Sequence, residues 1–362
     1  MTQANPITII PPRSEVAPSQ HITDLKLQWQ ALKKTQPALR IRNAADNLGV
    51  SEAELLATEC GNDVMRLRPE PLNVLAELHR CGPLMALVRN HHAVHETTGT
   101  FGELRGQGSI RLFLGEQDQR LFTRGWTRAF AVQTGTERSS IQFFNPSGRA
   151  CFKLFTTAET RLDVWHELVN RFASSDQSAS ESGIQPEMLP KTVSQLTPEQ
   201  TQELRQRWAA ISDVHQFRGL LKRFGLNRVS AFRHAGPDWA EELPLNAIET
   251  VITQAKDLDL SLMTFVGNPD GIQIHTGRPG RLVRTGEWFN NLSPRFSLHL
   301  NSHAIASTWL VRRPSKDGVI TSLEAFDENE ESILQLFGER TEGQAENTLW
   351  RKLAEELPRH AD

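Results

Sequence analysis

Asp213-Val214-His215-Gln216-Phe217 stands where one helical pattern stops and another begins. Ser212 or Asp213 can cap the new helix, Leu220 and Leu221 supply its apolar face, and Gly225 offers its stop. His215 then falls in the first turn, where the helix dipole disfavours an added positive charge. A neutral imidazole keeps a lone pair free, and the chemistry it offers is coordination of a metal. A surface histidine bonded to a carboxylate fits the same spacing, so both readings stay open at this level.

His91, His92 and His95 form the densest histidine cluster. His91 and His95 would share a face only on a helix, yet the context is strand or turn, and the spacing is not the HExxH of a metalloprotease. Gly99, Gly102, Gly106 and Gly108 do not sit in a strand-to-helix GxGxxG context, and no GxSxG elbow or cysteine–histidine pair stands out.

The elements that must position these residues occur twice. Leu84-Met85-Ala86-Leu87-Val88-Arg89-Asn90 reads onto Leu262-Met263-Thr264-Phe265-Val266-Gly267-Asn268, and Pro71-Leu72-Asn73 onto Pro244-Leu245-Asn246. Ile141 to Phe155 runs without a gap onto Leu323 to Phe337, and Trp165 falls on Trp350. The spacing between partners drifts only slightly, as small loop changes would make it. Duplication supplies an internal control, because chemistry carried by one half should show where the copies disagree. Pairing Gly49 with Gly225 sets Ile41 on Phe217, Leu48 on Phe224 and Leu39 on His215. The halves therefore differ at the one position suited to a metal.

A chain of 362 residues is too long for one ordinary core, and the repeat divides it into two domains. Residues 1–20 read as a disordered leader, 21–173 as the first repeat, 174–197 as a Ser/Gln/Glu/Pro-rich linker and 198–362 as the second repeat. Each repeat opens with helices, Ser51-Glu52-Ala53-Glu54 having the form of a capping box. Short strands joined by turns follow, Asn145-Pro146-Ser147-Gly148 among them, and a closing helix carries Trp165 or Trp350. In the second repeat the spacing predicts helices from Pro198 to about Lys256. The fold class is α+β in tandem, each half an antiparallel sheet flanked by helices, with a candidate cleft between the halves.

A net charge of −3 and interleaved acids make Arg205, Arg207, Arg218, Arg223 and Arg228 a solvated helix face, which argues against specific nucleic-acid binding. Three widely spaced cysteines, Cys60, Cys81 and Cys151, point to reduced thiols and a cytoplasmic setting. No stretch reaches the length of a membrane span, and Ile7 to Ile10 is too short for a signal peptide. Tyrosine is absent beside 17 Phe and 8 Trp.

The segment Asp213-Val214-His215-Gln216-Phe217 with Leu220-Leu221-Lys222-Arg223 resembles the cytoplasmic hemin-utilisation proteins of the HemS type, the hemin-degrading factors. So do Arg89-Asn90 with Ala93-Val94-His95-Glu96, Ser140-Ile141-Gln142-Phe143-Phe144 and Phe265-Val266-Gly267-Asn268. Asp317 to Glu324 and Gln335-Leu336-Phe337-Gly338-Glu339-Arg340 extend the likeness over both copies. The resemblance implies haem b held in the cleft, as substrate or cargo, with His215 as axial ligand to its iron. Arg120 matches a distal arginine able to hydrogen-bond an iron ligand or an ordered water, and Phe122 would line the ring. Arg228, Arg313, Gln335 and Arg340 match contacts to the propionates, which guanidinium recognises in a bidentate fork. Phe337 stands where relatives often have tyrosine, and Arg313 where lysine is common. His95 matches a histidine proposed as a second haem contact.

Two functions follow from that resemblance. One is oxidative opening of the haem ring with release of iron, catalysed with Arg120 and His215. It needs an external reductant or reductase, since no flavin or nicotinamide motif is present. The other is non-catalytic carriage of haem from an inner-membrane ABC importer to a haem oxygenase.

Overall fold

The computed structural model describes residues 19–135, 138–186, 195–213, 216–341 and 343–359. The chain forms two compact units. The first contains residues up to Val88, Glu96–Met188 and the short insert Asn268–Ile272; the second contains Arg89–His95, Leu189–Gly267 and Gln273 onwards.

Each unit is built on an antiparallel sheet whose strands follow the same order. In the first unit it runs Val64–Leu67, Arg128–Thr134, Arg138–Phe144, Ala150–Thr156, Leu84–Arg89. In the second it runs Ala240–Leu243, Ser307–Ser315, Gly318–Phe326, Ser332–Gly338, Leu262–Asn268. The α+β tandem architecture read from the sequence is the one observed. Strand alternation sends every second side chain to the same face. In the second unit Leu310, Leu323, Ala325, Leu334 and Leu336 face helices Ala247–Asp257 and Thr348–Glu355 in one core. The matching core of the first unit gathers Leu84, Ala86, Ile141 and Leu154 around helix Leu162–Phe172.

The two closing tryptophans act alike. Trp165 and Trp350 are fully buried, each worth several kcal/mol of burial (about 3–5 on truncation to alanine). Their indole N–H groups donate to Ser139 Oγ at 3.0 Å and to Thr321 O at 3.1 Å. A Cβ on Gly338 would collide with the Trp350 ring, so only glycine lets that helix lie so close.

Local signals are realised in both copies. Ser51 and Glu54 complete the capping box of Glu52–Ala57. Asn145 Oδ1 accepts from the backbone N–H of Ser147 and Arg149, as Asp327 Oδ1 does from Asn329 and Glu331. Gly49 at φ +67° and Gly225 at φ +63° end equivalent helices. In each case the next residue bonds back to a carbonyl five positions earlier, Val50 to Ala45 and Leu226 to Leu221.

The helical run expected from Pro198 to Lys256 is broken by strand Ala240–Leu243, which pairs with Leu243↔Thr308 through Ala240↔Val311. Of the leader, residues 1–18 lie outside the described residues, and helix Gln20–Thr35 begins after Ser19, already at the leader's last position. Of the linker, 187–194 lie outside them too. Residues 174–186 are fastened to the first unit by polar anchors that an apolar period could not reveal. Gln177 is buried, and Glu181 accepts from Arg66 and, at 2.6 Å, from Arg128 Nε.

Candidate functional site

In the second unit the face opposite the aliphatic core is chemically mixed. Register places Val311 beside Ser322, Ser322 beside Phe337, Glu324 beside Gln335, and Gln335 beside Phe265. Arg313, Ser322, Glu324, Gln335, Phe337 and Phe265 therefore share that face. One end of it is covered by helices Pro198–Ala209, Gln216–Phe224 and Arg228–Ala235, which pack Trp208, Phe217 and Phe232 against Trp309, Val311 and Phe326. Phe265 and Phe337 remain half-buried, with ring centroids 4.9 Å apart.

Two of the expected arginines converge on this face. Arg228 is the first residue of its helix, following Asn227, whose side chain caps it by accepting from Ser230 N. Arg228 Nη1 donates to Glu324 Oε2 at 2.8 Å. Arg313 Nη2 donates to the other oxygen, Oε1, which also accepts from Ser322 Oγ at 3.0 Å. The Phe217 ring lies against both guanidiniums, 4.5 Å from that of Arg313 and 5.4 Å from that of Arg228. Burial works to raise the Glu324 pKa, but Arg228 and then Arg313 more than offset it, so the carboxyl is held below its ordinary value. The Arg313 pKa is lowered as well, chiefly by burial, with Glu324 pulling against it and Arg228 adding to the fall.

Two guanidiniums on one carboxylate leave a single excess positive charge. Arg313 is almost wholly buried, yet its Nε has no hydrogen-bond partner. Arg340, two residues beyond strand Ser332–Gly338, likewise keeps a buried Nε with none. Orphaned cationic donors of this kind are costly unless something anionic is meant to meet them. Gln335, half-buried, is the cross-strand neighbour of Glu324.

His215, the expected metal ligand, lies outside the described residues. Val214 lies outside them too; helix Gln216–Phe224 starts immediately after His215, and Gln216 Oε1 accepts from Ser212 N at 3.0 Å. Arg120 and Phe122 belong to the first unit, on strand Asp118–Phe122 paired with Ile110–Phe113. Arg120 Nη1 is bonded to Asp118 within that strand.

His95 is fully buried in the second unit, edge-on to Phe296 at 5.0 Å and 6.5 Å from His275. Neither of its ring nitrogens has a well-formed hydrogen bond. Burial, and then His275, lower its pKa to about 3, while the Thr264 backbone pulls weakly the other way. Among the described residues no group of three or more His, Cys, Asp or Glu could hold a metal ion.

The first copy shows what the same framework does without this chemistry. By the Gly49–Gly225 and Ile141–Leu323 pairings, Glu52 stands for Arg228, Gln142 for Glu324 and Lys153 for Gln335. Lys153 and Glu52 form a buried ion pair with each other, next to Gln142 in register. That copy is closed on itself, and the arginine pair belongs to the second copy only. Sequence reasoning passed over Glu324 and Phe217 as site residues. The available signal was a carboxylate in the middle of an otherwise apolar strand, which has to be paired.

Comparison with known proteins agrees with the duplication. A family profile described as the haemin-degrading HemS/ChuX domain matches residues 49–172 and again 225–357, each match starting at one of the paired glycines. The chain is 36% identical over 330 residues to the hemin transport protein HmuS of Yersinia pestis, covering 90% of this chain and 94% of that one. The crystal structure of holo-PhuS, a haem-binding protein from Pseudomonas aeruginosa, superimposes with a TM-score of 0.89 at 40% identity, covering 93% and 99% of the two chains. ChuS, described as an E. coli haem oxygenase, superimposes with a TM-score of 0.82 at 33% identity, covering 92% and 99%. With the profile matched in both halves, the chain belongs to the haemin-degrading HemS/ChuX family of haem-binding, hemin-utilisation proteins.

Proposed function

We propose that the protein takes haem on the mixed face of its second unit, with His215 as the axial ligand of the iron, and opens the ring to release that iron. The observation that carries the binding reading is the arginine pair on Glu324 beside the half-buried rings of Phe265 and Phe337. A porphyrin is a flat apolar ring with two carboxylates, and this face offers aromatic surface next to excess positive charge. The buried, unpartnered Nε of Arg340 fits such a carboxylate as well. Bound haem would supply the redox-active iron; the chain's own residues bind and orient it. Arg228, Gln335 and Arg340 meet the propionates in this reading and Arg313 backs them through Glu324, while Arg120 and Phe122 contribute further contacts by resemblance. For His95, full burial beside Phe296 favours a structural role over a second haem contact.

Ring opening consumes electrons and dioxygen, so an external reductant or reductase is part of the proposal. Among the described residues no helix is long and apolar enough to cross a membrane. A cytoplasmic protein receiving haem behind an inner-membrane importer fits this reading. A pure carrier is the second reading, supported by curated relatives named as hemin transport proteins. Following the Soret band of the haem complex after adding ascorbate or a reductase, with catalase present, separates the two. Loss of the band with free iron and a linear tetrapyrrole is the expected result. A persistent band, with haem passed intact to a partner oxygenase, overturns the enzyme in favour of the carrier. In the same assay Arg120→Ala should slow turnover while leaving binding mostly intact.

A further inference from the structure

We propose that Glu324 is the positioning residue of this face: it sets the guanidinium of Arg228 in the orientation that meets a ligand carboxylate. The inference rests on the haem reading above and adds a division of labour among the residues that serve it.

Three observations carry it. Glu324 is wholly buried and spans two cations, Arg228 on one oxygen and Arg313 with Ser322 on the other. Of the two arginines only Arg228 keeps part of its side chain, 30%, exposed, whereas Arg313 keeps 5%. Arg228 is thus held by its inner edge while its outer donors stay available, and Arg313 is a support committed to Glu324 and the Phe217 ring. Thirdly, the equivalent position of the first copy holds Gln142, and there the residue matching Arg228 is an acid paired with Lys153. The carboxylate and the arginines it holds occur together in one copy and are absent together from the other.

Charge and position can be separated by choice of substitution. Glu324→Asp keeps the negative charge but withdraws it by one methylene from both guanidiniums, so position changes and net charge does not. The probes are hemin and hemin dimethyl ester, which differ in the carboxylates alone. Wild-type protein should prefer hemin. Glu324→Asp should cut that preference by about tenfold, the size expected for one misplaced charge-assisted hydrogen bond. On an Arg228→Ala background the same change should have no further effect, because its action runs through Arg228. A residue that merely stabilises the fold would lower the melting temperature in both backgrounds and leave the preference alone.

Ser322→Ala removes the hydroxyl that orients Glu324 Oε1 and is the milder variant should Glu324→Asp not fold. It should reduce the preference by about threefold in the wild type and not at all beside Arg228→Ala. Unchanged preference in these variants, or losses that add to that of Arg228→Ala, would overturn the positioning role. Equal binding of the ester by the wild type would overturn it too, whereas wild-type protein that binds neither probe would instead sink the haem reading.

Discussion

Arg228 and Glu52 occupy the same position in the two copies and carry opposite charge. Each is the first residue of a helix that follows a capped turn after a left-handed glycine. Arg228 donates to a buried carboxylate, whereas Glu52 accepts from the buried ammonium of Lys153. One duplicated framework thus supports an outward-facing cation in one half and a self-contained ion pair in the other.

The pair in the first copy should matter to folding and not to ligand. Breaking a buried ion pair by removing one partner leaves an uncompensated charge and costs about 3–5 kcal/mol. Lys153→Met should therefore lower stability in a denaturant titration by that order, while Lys153→Met with Glu52→Leu should recover most of it. Hemin affinity should be unchanged in any folded variant. A selective loss of hemin binding would show that this ion pair takes part in the site.

Arg340 is expected to behave in the opposite way. Its buried Nε has no partner in the protein, so Arg340→Met should change stability by no more than about 0.5 kcal/mol. Hemin affinity should nevertheless fall, with the affinity for hemin dimethyl ester less affected. A thermal melt and two titrations decide it, and equal effects on both ligands would remove Arg340 from carboxylate recognition.

His95 and His275 should make stability depend on pH. Burial lowers their pKa values to about 3 and about 4, against about 6.5 in the unfolded chain. Between those values the unfolded chain binds more protons than the folded one, so stability falls as pH drops. It is intact above about pH 6.5 and is lost progressively toward pH 4 and below, by up to about 1.4 kcal/mol per pH unit for each histidine. His95→Leu should flatten the fall in melting temperature between pH 7 and 4.5. An unchanged pH profile would mean that the ring is not held neutral.

Much of this was legible in the sequence because the signals are local. The stops at Gly49 and Gly225, the capping box at Ser51 and the turn at Asn145 depend on residues a few positions apart, and each forms as read. The duplication also revealed the α+β order, since two copies of one pattern reinforce each other. What escaped depends on distant pairing. Ala240-Glu241-Glu242-Leu243 has no strand character of its own; it is held by its ladder to Ser307–Ser315 and by Arg312 and Arg359 on Glu241. Glu324 announces a buried carboxylate but not its partners, because only the folded sheet brings Arg228 and Arg313 to it from other elements. Two matched asparagines were equally hidden. Asn268 binds the Cys151 carbonyl in the first unit as its repeat partner Asn90 binds that of Ile333 in the second, at 3.0 and 2.8 Å.

The central claim is that the imidazole of His215 ligates haem iron, and hemin titration of wild type against His215→Ala, read by Soret absorption and resonance Raman, tests it most directly. The account predicts a histidine-ligated spectrum in the wild type, and in the variant a shifted, broadened Soret band with weaker binding. The same axial ligation and affinity in both proteins would contradict it.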